Sequence, residues 1–303
     1  MSISFLDHPG EREGLIEVRH SLTNASGDAD LRNVKHVIID PHGSWEVPPV
    51  TGLENHLGQY DSDSVQRHLA VERDLGIPEL RDQLVDRVPD TLAINFKVNR
   101  ALADPNREPA FALQSIMNPA DPAVKAALQD WHARGLTAVD QILAKVAPGA
   151  RVSLLHSTEF FDYPALTDED LKSPEAFKAY MDRVVAAREK EYQNCIMTGD
   201  ADGSTRADGQ FTDLLTARLT ADGIPFALNN PYVTKLGRHV TSRYMEARPG
   251  RVNAMDWRKD MLATGSGAEN TFALDTSVPD AAKVDRVAEL FAETLKEAMG
   301  GEI

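Results

Sequence analysis

The sequence predicts an α/β protein in which a mixed, mostly parallel sheet carries helices on both sides. Three observations lead there. Short apolar, β-branched runs recur along the chain. Longer stretches with helical periodicity and helix-start signals separate them. The two kinds alternate, as they do when each strand hands over to a helix that crosses back over the sheet.

The first strand expected is 37–40 (VIID), followed by helices over 64–73 and 79–88, with Pro78 placed as an interruption between them. A second strand follows at 91–96 and a long helix at 122–145. Residues 151–155 (RVSLL) read as a third strand. The next helix, 173–192, opens on Ser-Pro-Glu, an N-cap followed by proline at the first helical position. Strands at 194–197, 225–228 and 252–257 bracket a helix over 208–222. The final helix, 279–299, brings Val284, Val287, Ala288, Phe291 and Leu295 onto one face, the stripe of a helix that packs on a core. Residues 1–33 read as an N-terminal extension and 263–278 as a loop, and the whole chain, 1–303, reads as a single domain.

Composition narrows the function. With 303 residues, 42% of them hydrophobic, the chain can bury a full core. No apolar run approaches the roughly 18 residues that span a bilayer, and the acidic N-terminus lacks the pattern of a secretory signal. Cys195 is the single cysteine, so an intrachain disulfide and a cysteine-rich zinc site are both excluded. The cytoplasm is the compartment expected from this. A net charge of −15 with no opposing Lys/Arg cluster argues against nucleic acid as a partner. Oligomeric state stays open.

Two histidines follow apolar strands: His42 in VIIDPHGSWEVP and His156 in VSLLHSTEFF. Imidazoles at strand ends are well placed to bind a metal in the crevice where such folds hold ligands, although a hydrogen-bonded loop histidine would leave the same trace. Asp256 interrupts the apolar run VNAMDW. A carboxylate there must be paired, with Arg258 or Lys259 as the nearest partners, or must do chemistry. Asp74 falls just before Gly76 and Pro78, where helical pattern breaks, and Asp104 sits in an Asp-Pro-Asn turn. His132 lies in a long helix, His68 within another, and His239 in a polar loop, while His8, His20, His36 and His56 suggest only surface or packing roles. GDADGST (199–205) reads as a solvated turn, because no acidic residue closes a calcium loop. Neither GxSxG nor GxGxxG occurs, so serine-hydrolase and dinucleotide readings lack support.

Several short stretches, in order from about 34 to 262, resemble the N-formylglutamate amidohydrolase family. They are His42 with Pro48; HLAVERDLGIPEL, which contains Asp74 and Glu72; NRALADPNR; WHARGL with His132; LLHS with His156; NNPY; GRHVTSRY; and NAMDWRKDML. The sequence departs from the family at Asp256, Leu154 and Asn99, where the family carries Glu, an acidic residue and Ser. The resemblance implies a three-layer α/β sandwich of phosphorylase/hydrolase-like plan, related to zinc carboxypeptidases. It also implies one Zn2+ held by His42, Asp74 and His156, with Glu72 as the alternative to Asp74, while Glu46, one helical turn from His42 by its spacing, is a reserve ligand. Asp256 would be the general base, with Glu159 or Glu46 in reserve, and His132 would stabilise the oxyanion or orient substrate. Arg100, Asn106, Arg107 and Arg243 would bind a carboxylate-bearing substrate. The implied reaction is hydrolysis of a small N-acyl amide, foremost an N-formyl amino acid such as N-formylglutamate. The alternatives are a zinc amidase acting on another amide metabolite, and a metabolite-binding relative without turnover.

Overall fold

Seven strands form the central sheet of the computed structural model: β1 (Ile16–His20), β2 (His36–Asp40), β3 (Thr91–Phe96), β4 (Arg151–Thr158), β5 (Asn194–Met197), β6 (Phe226–Leu228) and β7 (Val252–Arg258). The structure describes residues 14–22, 30–117, 121–158, 164–187, 193–199, 205–230, 232–264 and 278–300. His8, Glu159, residues 200–204 of the GDADGST turn and residues 265–277 fall outside them. The strand order is β1-β3-β2-β4-β7-β5-β6. β3, β2, β4 and β7 run parallel, β1 and β5 join them antiparallel, and β6 lies parallel to β5. β2 and β5 are buried at every position, which is why they read as continuous apolar runs rather than alternating ones.

Helices cover both faces: α1 (Leu53–Leu57), α2 (Ser62–Val71), α3 (Ile77–Arg87), α4 (Pro122–Leu143), α5 (Pro174–Ala187), α6 (Gly209–Ala221), α7 (Val240–Ala247) and α8 (Ala281–Ala298). The architecture is thus the expected three-layer α/β sandwich with a mixed, mostly parallel sheet. Aspartates cap α2, α4, α6 and α8 by accepting backbone N–H bonds from Ser64, Ala123, Phe211 and Ala282. Residues of α3, α6 and α8 build the core on one face of the sheet, around Trp257, Phe211 and Phe291. Residues of α1, α2, α4, α5 and α7 build the other. No helix among the described residues is long and apolar enough to cross a membrane.

Strand parity places the chemistry. Val152 and Leu154 of β4 face the second core, whereas Leu155 faces the first. Val252 and Ala254 of β7 likewise share the face opposite Met255 and Trp257. With a side-chain period of two, His156 and Asp256 therefore emerge on the α4/α7 face. They also sit side by side in the β4–β7 register.

Some elements differ from expectation. Part of the stretch read as an extension, Ile16–His20, pairs along β3 as an edge strand. Its pattern, IEVRH, offers just two apolar side chains between charged ones. Pro78 does not interrupt a helix but begins one, since it falls in the first turn of α3, where no N–H is required. Gly76 caps that turn at φ 84, and a Cβ there would lie 2.5 Å from the Leu262 Cβ. Close packing and a left-handed backbone both demand glycine two residues beyond Asp74. A small hairpin, β8 (Ala263–Thr264) with β9 (Val278–Pro279), stands at the two ends of the stretch read as a loop.

Candidate metal centre

The parallel strands β2, β3, β4 and β7 deliver their carboxyl ends to one edge of the sheet, and the polar residues gather there. His42 lies two residues past β2, on a turn whose shape is fixed from several sides. Gly43 N donates to Asp40 Oδ1 at 2.8 Å, Arg73 Nε donates to the Gly43 carbonyl at 2.7 Å, and Asn99 Nδ2 donates to the Ser44 carbonyl at 3.2 Å. Asp74 comes from the connection between α2 and α3, and its backbone N–H donates to the His42 carbonyl at 3.1 Å. His156 stands near the end of β4.

These three side chains converge. His42 Nδ1 lies 3.2 Å from His156 Nδ1, and Asp74 Oδ2 lies 3.3 Å from each. All three residues are buried. An ion with bonds of ~2.1 Å in tetrahedral geometry holds its ligands roughly 3.4 Å apart. The triangle of two nitrogens and one carboxylate oxygen therefore has the size and donor set of a three-ligand metal site with an open fourth position, and it could hold a metal ion. Both imidazoles turn Nδ1 inward, so each Nε2 faces the protein. His42 Nε2 donates to Asp104 Oδ1 at 2.8 Å, and His156 Nε2 lies 3.5 Å from the Asn106 amide. A carboxylate on the far nitrogen fixes the ring and its tautomer, as is usual for metal-ligating histidine.

The charges fit the same picture. Burial opposes the ionised form of Asp74, but the imidazoles of His42 and His156 outweigh it and hold the carboxyl far below its ordinary range. Asp104 is likewise held well below that range, because His42, Arg100 and Arg107 outweigh its burial. Asp256 behaves in the opposite way. Burial first, and then Asp74, push its pKa well above the ordinary carboxylate value, against the opposing pull of Arg100, His42 and Lys259. Its side chain is 6% exposed, and Oδ1 has no hydrogen-bond partner. Neither partner foreseen for it is committed to a salt bridge with it: Arg258 pairs with Asp260, and Lys259 Nζ donates to the Val71 carbonyl. A buried carboxyl with an unbonded oxygen beside the His42–Asp74–His156 triangle is an unusual feature for a structural residue.

A cavity of about 250 Å³ opens onto this edge, and its lining includes His42, Asp74, His156 and Asp256 together with Arg100 and Arg107. Arg100 Nε is 3.3 Å from Glu72 Oε2 and its NH1 is 3.4 Å from His42 Nδ1, while Arg107 contacts Asp104 and His239. Glu72 and Glu46 are thus engaged elsewhere, by Arg100 and by Lys97 respectively, and the third side chain of the triangle is Asp74. Glu46 points away because residues 43–50 are not helical, so four residues do not make one turn there.

Two of the residues proposed for substrate or catalysis, His132 and Arg243, stand apart from the open space, and a third, Asn106, is engaged by a neighbour. His132 is buried outside the cavity lining, where Nε2 donates to the Asp104 carbonyl at 3.0 Å. Arg243 is 3.4 Å from Glu108 and 3.3 Å from Asp140, again outside the lining. Asn106 lines the cavity, but its Oδ1 accepts from the Thr241 hydroxyl at 2.6 Å. Sequence reasoning missed Asp104 as the partner of His42, and His239 as a wall of the cavity. For Asp104 the flanking Arg100 and Arg107 were the available signal. His239 gave none.

The fold and this buried His–Asp–His group define a class: an α/β sandwich with a candidate metal centre at the carboxyl edge of its parallel strands. Solved structures with the same fold include a gene product of Agrobacterium tumefaciens, at 16% identity and a TM-score of 0.60 over 95% of each chain. They also include N-formylglutamate amidohydrolase from Ralstonia eutropha, at 14% identity and a TM-score of 0.56 over 95% of this chain and 99% of that one. No protein-family model matches the sequence, and no curated protein matches it.

Proposed function

We propose that the protein is a zinc-dependent amidohydrolase that cleaves a small, carboxylate-bearing N-acyl amide, with N-formyl amino acids as the first class to test. The observation that carries this reading is the triangle of His42 Nδ1, His156 Nδ1 and Asp74 Oδ2 beside an Asp256 carboxyl whose Oδ1 has no hydrogen-bond partner. Sharing a fold with an N-formylglutamate amidohydrolase supports it.

Zinc held by these three side chains would supply a Lewis acid for the amide carbonyl and would lower the pKa of the attacking water. Asp256 takes the proton of that water and returns it to the leaving nitrogen, a role that suits a carboxyl whose pKa is raised. Asp104 keeps His42 in the Nδ1-inward orientation, and His132 holds the backbone of Asp104 in turn. His132 is thus a positioning residue. Arg100 and Arg107 face the cavity and bind the substrate carboxylate, where a guanidinium can offer two parallel N–H donors.

The test is release of free amine and formate from N-formylglutamate and related N-acyl amino acids by the zinc-loaded protein. Hydrolysis should fall to background on chelation and return with added zinc. No turnover of any member by metal-loaded protein would overturn the reading. Arg107→Ala should raise KM for an acidic substrate at least about tenfold, and change it much less for an uncharged amide of the same size. Equal effects on both would assign Arg107 to holding Asp104 rather than substrate.

A further inference from the structure

The cavity has a second character on its far side. In sheet order the site runs from β2, which leads to His42, through His156 on β4 and Asp256 on β7, to β5. Arg100 follows β3, beyond the His42 end of that row. At the other end the lining is apolar: Met197 at the end of β5, then Tyr232 and Val233 from the loop that follows β6. That loop is tied over β5. The Tyr232 carbonyl lies 3.5 Å from Cys195 Sγ, and Cys195 is the register partner of Asp256. Thr234 also lines the cavity, but its hydroxyl donates to the Gly199 carbonyl at 2.8 Å and is consumed there. Thr198 and Asn229 close the same junction, with Asn229 Nδ2 donating to Thr198 Oγ1 at 2.7 Å. The Arg100 guanidinium therefore stands at one end of the row of His42, His156 and Asp256, and an apolar wall stands at the other, while Arg107 bonds to His239 beyond the end of the loop that carries Val233.

We propose that this wall binds an alkyl acyl group, so that the preferred substrates are N-acyl amino acids whose acyl chain is longer than formyl. The inference rests on the hydrolytic reading above. An amide cleaved between the metal ligands and Asp256 sends its two substituents in opposite directions. With the carboxylate-bearing amine at Arg100, the acyl substituent meets Met197, Tyr232 and Val233. A formyl group presents only a hydrogen there and leaves the wall facing water. Each acyl carbon that replaces water against the wall should favour the bound transition state by up to about fourfold.

The experiment compares kcat/KM of the zinc-loaded protein for N-formyl-, N-acetyl-, N-propionyl- and N-butyrylglutamate. The value should rise along the series, by about tenfold or more from formyl to butyryl. Val233 is 37% exposed, so Val233→Asp should fold while placing a charge on the wall. It should bring the butyryl-to-formyl ratio down to about threefold or less, the share of the gain lost when the acyl chain meets a charge. Turnover of the formyl compound with no gain along the series overturns this inference and leaves the hydrolytic reading standing. So does a Val233→Asp ratio equal to that of the parent protein. Failure to turn over all four overturns both.

Discussion

His156→Ala is expected to lower zinc affinity by more than about a hundredfold while the protein stays folded. Loss of an outer partner alone commonly costs 10–100-fold, and His156 is one of just three side chains in the triangle. Glu72 and Glu46, the alternative ligands considered from the sequence, are paired with Arg100 and Lys97 and do not replace it. Competition against a chromophoric chelator reads the affinity directly. Zinc at a hundred times its Kd should also stabilise the parent protein by about 2.7 kcal/mol, seen as a rise in Tm, and this rise should vanish in His156→Ala. Asp104→Asn should give the graded result, a loss of about 10–100-fold, since it weakens the hold on His42 without removing a donor to the metal. Because both imidazoles must be neutral to bind, affinity should weaken with acidity in parent and Asp104→Asn alike. Unchanged affinity in His156→Ala would place the metal elsewhere.

What the sequence disclosed follows from how each signal is encoded. The central strands were legible because burial on both faces leaves uninterrupted apolar runs, such as VIID before His42 and SLL before His156. β1 was not, because an edge strand of two apolar residues among Glu17, Arg19 and His20 carries almost no pattern. α7 was missed for a related reason: GRHVTSRY mixes β-branched and charged residues, and its burial comes from tertiary packing of Val240, Tyr244 and Met245. At the site, strand ends pointed to His42 and His156, and a charge in an apolar strand pointed to Asp256. The choice of Nδ1 over Nε2 depends on ring rotation set by Asp104, 62 residues away from His42. No local motif records that. The same limit explains His132 and Arg243, whose residue types suit catalysis and substrate binding but whose helices aim them at Asp104 and at Glu108 and Asp140.

Asp256→Asn should reduce kcat by about 10²–10⁴ while zinc stays bound, the usual contribution of a positioned general base. Asparagine keeps the shape but can neither take nor return a proton. The position tolerates the change structurally, because Oδ1 has no hydrogen-bond partner to lose and the charge it removes is a buried one held against Asp74. In the parent, the carboxyl must be ionised to act as a base, so kcat/KM should climb with pH through its raised pKa, and Asp256→Asn should abolish that limb of the profile. Asp256→Glu separates two ways in which the shorter side chain could matter. Glutamate reaches about one methylene, roughly 1.5 Å, further toward the metal ligands. A misplacement of that order costs on the order of a hundredfold where geometry is already set for the shorter acid. If the backbone here is fitted to aspartate, Asp256→Glu loses activity on every acyl chain. If the extra room serves a larger acyl group, the loss is concentrated on butyryl, and formyl hydrolysis is retained or rises. Full turnover by Asp256→Asn with zinc in place would remove Asp256 from the mechanism, and Glu159 would be the next carboxylate to replace.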